Sequence, residues 1–131
     1  MHPAMPWTIE LLDVPKAVSV RACGPMKLAL IRQIAAKALA EATSHGVHQF
    51  LVDDRDMVPQ LSTLELHDLP DMLSRMGLEK RDRAAVVYTK SSPKAEDFRF
   101  LETTALNRGF SIRLFTDLDQ AITWLTGGHR N

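Results

Sequence analysis

The stretch VHQFLVDDRDM, Val47 to Met57, drives an apolar run straight into Asp53, Asp54, Arg55 and Asp56 with no spacer. VHQFLV has the length and character of a buried strand, and it follows Gly46, a residue free to take the left-handed conformation that stops a helix. Upstream of it, Leu28, Ile31, Ala35, Ala38, Leu39 and Ala42 recur at helical spacing, while Gln33, Lys37, Glu41 and Ser44 line the opposite side. Downstream, PQLSTLELHDL predicts a second helix. Its start carries the Ser62/Glu65 spacing of a capping box, with Leu61 and Leu66 at the positions of a hydrophobic staple. A strand enclosed by two helices is the repeating unit of a mostly parallel sheet.

The same alternation continues in both directions. WTIELL and AVSVRAC, at Trp7–Leu12 and Ala17–Cys23, read as two strands joined at DVPK, where Pro15 suits a turn corner. RAAVVYT, Arg83 to Thr89, is a nearly continuous apolar run of the kind covered on both faces. SSPKAEDF opens a third helix, with Ser92 as cap, Pro93 at the first helical position and Glu96 and Asp97 in the first turn. FSIRLF is a last strand, and LDQAITWL a last helix behind the Asp117/Gln120 spacing of another capping box. The order is β-β-α-β-α-β-α-β-α. It predicts an α/β domain over residues 7–126, with a mostly parallel sheet, an N-terminal antiparallel hairpin and helices on both faces. Residues 1–6 and 127–131 are read as tails, the first disordered.

At 131 residues the chain is long enough to bury about two-thirds of the surface its unfolded form exposes, so it needs no disulfide or metal staple. Sixteen basic and sixteen acidic side chains cancel, which removes the long-range field expected of a nucleic-acid-binding protein. Cys23 is alone, which fits a reducing compartment. MHPAMP lacks the features of a signal peptide, and no apolar run is long enough to span a bilayer. These features predict a cytoplasmic protein.

The chain resembles the small bacterial proteins of the STAS-like superfamily, related in fold to anti-sigma-factor antagonists and CRAL-TRIO lipid-binding domains. The resemblance runs from about Trp7 to Leu125. It is carried by the hairpin closing on CGPM, FLVDDRD followed by LSTLEL, the strand AAVVYT, and the ending RGFSIRLFTDLDQAITWL. It implies a binding module rather than an enzyme. In the antagonists a phosphorylatable Ser begins the helix after a central strand ending in Asp, which implies a functional helix start at Ser62 or Thr63, beyond Asp53 and Asp54. This chain departs from that motif: DRDMVPQL separates the strand acids from Ser62, and the Asp-Ser-Ser-Gly pattern is missing. The lipid-binding relatives are larger, with extra helices closing a deep apolar pocket.

In a parallel sheet the C-terminal strand ends share one edge, which would gather Asp53, Asp54, Thr89, Lys90, Thr116 and Asp117. Paired carboxylates there could hold magnesium with Lys90 opposite a phosphoryl group. That arrangement defines the alternative, a metal-assisted phosphoryl-transfer or hydrolytic enzyme using Asp53 and Asp54. The spacing does not match a phosphorelay receiver, and acids at a strand end also serve to accept loop amides, with Arg55 pairing beside them. His67 and Asp71 stand at i,i+4, a spacing metals can use, but Pro70 between them interrupts the ladder. His45 and His48 flank the Gly46 helix stop, where an imidazole meets the C-terminal dipole. No glycine-rich phosphate loop is present.

Two features favour contact recognition. Pro70 should kink or restart the helix LELHDLPDMLSRM, whose Met72 and Met76 would make an adaptable cover over an apolar cleft. Phe100 lies on the opposite side of its helix from Phe98, Leu101 and Ala105, and would anchor a homodimer or partner contact. The sequence therefore predicts a non-enzymatic regulatory or ligand-binding module, with Asp53, Asp54, Arg55, Ser62, Thr63, Met72, Met76 and Phe100 as its contact residues. A protein partner, a second copy or a small apolar molecule is expected, and no metal or cofactor.

Overall fold

A computed structural model describes residues 6–127; of the expected tails at 1–6 and 127–131, residues 1–5 and 128–131 lie outside the described residues. Strands β1 (Trp7–Leu12) and β2 (Ala17–Lys27) form the antiparallel hairpin. Helix α1 (Leu28–His45), strand β3 (Gln49–Gln60), helix α2 (Thr63–Arg75), strand β4 (Arg83–Val87), helix α3 (Ala95–Asn107), strand β5 (Ser111–Phe115) and helix α4 (Leu118–Leu125) follow. The five strands lie in chain order, β1-β2-β3-β4-β5, and every pair after the hairpin is parallel.

That order dictates where the helices go. Three successive right-handed crossovers that step the same way across a sheet put their helices on one face. Accordingly α1, α2 and α3 contribute to one core with Val20, Phe50, Val86 and Ile112. On the other face, α4 packs Ala121, Trp124 and Leu125 against Leu51, Ala85 and Val87. Alternation along β3 and β4 therefore supplies both cores at once, which is why AAVV reads as a continuous apolar run.

The charged run after Val52 does not end β3. The strand continues through Asp53 to Gln60, paired with an equally prolonged β2 that reaches Lys27. Between the pairs Arg21↔Asp53 and Cys23↔Asp56, β2 advances two residues and β3 three, a bulge with one extra residue in β3. The extra residue resets the side-chain parity, so Asp54 and Met57, three apart, are both buried. Beyond the bulge β3 pairs only with β2, since β4 stops opposite Asp53. The result is a two-stranded arm leading into α1 and α2.

Helix ends follow the local chemistry, with two departures. Gly46 caps α1 at φ 65°, and Ser62 and Glu65 close both halves of the capping box on α2. Helix α3 begins at Ala95, not Pro93, because the Ser92 hydroxyl accepts the Lys94 amide and holds a turn ahead of the helix. Asp117 caps α4 through the Asp119 amide, without a reciprocal bond from Gln120. Helix α2 runs unbroken through the expected restart at Pro70, which is itself buried.

Candidate functional site: an apolar cavity with one carboxyl group

Helix α2 packs on α3, whereas α1 lies over β1 and β2. Between these two helical groups, above the sheet, is a cavity of about 160 Å³. Its walls come from α1 (Ile31, Ile34, Leu39), from β2 to β5, from Leu73 at the end of α2 and from Leu101 of α3. Among the lining side chains Asp54 alone is polar. It reaches this position because Phe50, Val52 and Asp54 share one face of β3.

Asp54 as a residue is 8% exposed; its carboxyl makes no hydrogen bond with another side chain or backbone group among the described residues, and its oxygens are not sealed from solvent. Burial, reinforced by the negative charge of neighbouring Asp53, pushes its pKa up to about 7. Asp53 is the opposite case. Its carboxylate receives the Arg55 backbone amide at 3.2 Å and two Arg55 guanidinium bonds at 2.9 and 2.8 Å, an arrangement that lowers its pKa. The pairing of Asp53 with Arg55 is as the sequence suggests, but the amide Asp53 accepts belongs to the bulged strand and not to a loop, and Asp54 lies inside the core layer.

These two adjacent strand residues do not converge on one ligand. Asp53 is occupied by Arg55, and Asp54 lines the cavity that Asp53 does not. The shared-edge grouping is realised only in part. Thr89 donates its hydroxyl to the Arg55 carbonyl at 2.9 Å, tying the loop after β4 to the bulge, while Asp117 is spent on capping α4. Strands in chain order also leave no reversal between neighbouring parallel strands, the usual place for a ligand crevice at that edge.

The other contact residues are dispersed. Ser62 and Thr63 are exposed at the start of α2. Met72 is buried at 6% exposure, and Met76 is half-buried as the C-cap residue, packed against the main core with Leu73. Met72 is thus a packing residue, not the face of a movable cover, because unbroken α2 holds it inward. Phe100 is 38% exposed, while Phe98 and Ala105 are buried. His67 and Asp71 both meet Arg108 of the α3 end: the guanidinium bonds the His67 ring and carbonyl, and Asp71 lies at 3.5 Å. They form a polar clamp between α2 and α3.

One polar arrangement was not anticipated. His48 Nδ1 lies 2.8 Å from the buried Asp82 carboxylate, whose other oxygen accepts the Glu79 amide at 2.7 Å. The lone signal was the acid in EKRDR, a run that looks like a solvated loop. His48, Glu79 and Asp82 could each turn one ligand atom toward a common point, but Asp82 already serves the turn before β4 and the start of β3.

Strand order, hairpin and helix placement define the class: this is a SpoIIAA-like, STAS-like α/β fold. A crystal structure of an uncharacterised protein from Shewanella loihica PV-4, described as belonging to the DUF3478 family and having a SpoIIAA-like fold, matches with a TM-score of 0.60 at 18% sequence identity. The match spans 95% of this chain and 98% of that one. No family model matches the chain, and no curated protein matches its sequence. Among the described residues no helix is long and apolar enough to cross a membrane.

Proposed function

We propose that the chain is a non-enzymatic cytoplasmic module of STAS-like fold that takes a small apolar ligand between α1 and the α2/α3 pair. The supporting observation is the cavity itself: a concave, almost wholly apolar cleft of about 160 Å³, half open to solvent, leaves apolar surface that an occupant would cover. Regulation would act through the helices that wall it. A change in occupancy alters the packing of α1 and α2, and the Ser62/Thr63 start of α2 is exposed to a partner.

The test is two-dimensional amide NMR of the uniformly labelled protein during titration with toluene. Saturable shifts confined to cavity-wall residues such as Ile34, Val86 and Leu101 are expected. Spectra unmoved by toluene and also by phenol, each up to its solubility limit, would remove the ligand-binding reading. A second contact, with a partner or another copy of the chain, would use Phe100, which is 38% exposed. If it anchors a homodimer, light scattering should find the wild type dimeric and Phe100→Glu monomeric; a wild type that stays monomeric across a 100-fold range of concentration would exclude that role.

A further inference from the structure

Resting on the ligand-binding reading above, we infer that the cavity between α1 and α3 selects a neutral, single-ring molecule bearing one hydroxyl group, with that hydroxyl held by Asp54. Three observations converge. The first is size. The volume of about 160 Å³ is close to that of the roughly 150 Å³ engineered cavity that admits benzene, so one ring fits within it.

The second is the wall. Residues reaching the cavity from β2, α1, α2, β4, α3 and β5 are apolar, and Val20, Ile34, Leu73, Val86, Leu101 and Ile112 represent all six elements. A second polar group on the ligand would lose its water without gaining a partner. The third is Asp54. It lines the cavity, is more than nine-tenths buried, and has no bonding partner from the protein among the described residues. With no protein partner and its oxygens still reached by solvent, this carboxyl is free to bond a group supplied from outside.

A hydroxyl suits this carboxyl in both of its protonation states. It accepts from the neutral acid and donates to the carboxylate, whereas a ketone can only accept. A charged amine would have to be stripped of water in a site holding just one counter-charge, and Asp53 nearby is already neutralised by Arg55. Asp54 is therefore a selective group for a phenol or a small cyclic alcohol over the hydrocarbon of equal size.

Phenol and toluene separate this inference from the broader reading, because they differ by OH in place of CH₃ at almost constant shape. In calorimetric or NMR titrations at pH 6.5, the wild type is expected to bind phenol at least tenfold more tightly than toluene. Asp54→Leu, checked by circular dichroism to be folded, should reverse that preference, and Asp54→Asn should retain it. Toluene binding at least as well as phenol to the wild type would overturn the hydroxyl assignment while leaving the apolar cavity reading intact. A preference for benzylammonium over both would overturn it in favour of a cationic ligand. Failure of phenol and toluene alike would overturn both readings. The wild-type comparison needs no variant, so it stands even if Asp54→Leu does not fold.

Discussion

Adjacent aspartates on one strand have opposite electrostatic fates. Asp53 gains from ionisation because Arg55 solvates it, and Asp54 loses because burial removes water from its carboxylate. The sign of the pH dependence follows. Between an unfolded value near 4 and about 7, folded Asp54 keeps a proton that the unfolded chain gives up, so its stabilising contribution is complete below the unfolded value. That contribution is lost as pH rises to 7 and beyond, by an amount on the order of 4 kcal/mol. Thermal melts should therefore show a falling midpoint from pH 5 to pH 8, and Asp54→Asn should flatten that slope; a wild-type midpoint that rises over this range would contradict the placement of Asp54. This placement was partly legible beforehand. Phe50, Val52 and Asp54 alternate in the sequence, and following that period one step further puts the acid with the apolar pair. The cluster of charges around it suggested a solvated loop instead, because charge usually marks the end of a buried strand.

Elements with strong local signals came out as the sequence indicates: the hairpin, the Gly46 stop and the Ser62/Glu65 capping box all depend on chemistry within a few residues. Loss of the Ser62 hydroxyl should cost about 1 kcal/mol, read as a lower urea midpoint for Ser62→Ala with an unchanged slope. The bulge in β3 was not legible, since no residue in DDRD demands one; it exists to keep β2 and β3 paired while Met57 turns back into the core. Deleting Arg55 would restore simple pairing and leave Asp54 and Met57 two apart, so Met57 and Pro59 would keep the core face and their places opposite Gly24 and Met26. The deletion variant should accordingly melt cooperatively, as should Arg55→Ala; a non-cooperative melt for the deletion alone would show that the arm needs the bulge itself. Pro70 shows the limit of local rules in the other direction. Proline in a helix interior is costly in isolation, yet α2 continues through it, with Pro70, Leu69 and Met72 all buried.

At the scale of the molecule, the alternating order of elements announced a parallel sheet behind a hairpin, but the order of strands in space was not legible, and from it comes the distribution of three helices on one face and one on the other. The cavity belongs to this scale too. Ile31, Ile34, Ala35, Ala38 and Leu39 have the spacing of an ordinary core face, and nothing in that spacing says that the face is incompletely filled. Filling it should be measurable: Ala38→Leu adds three carbons toward the cavity and should raise stability by about 1–2 kcal/mol while abolishing toluene-induced NMR shifts. A destabilised variant that still binds would place the free volume elsewhere.

The arm formed by the ends of β2 and β3 joins both walls of that cavity at their root, since α1 leaves it at Leu28 and α2 at Thr63. A flexing of this arm at the bulge would carry both helices in one stroke, making the protein itself the slow partner in any encounter. Different occupants should then enter at nearly the same rate, well below that of diffusion, and owe their differences in affinity to how long each one stays.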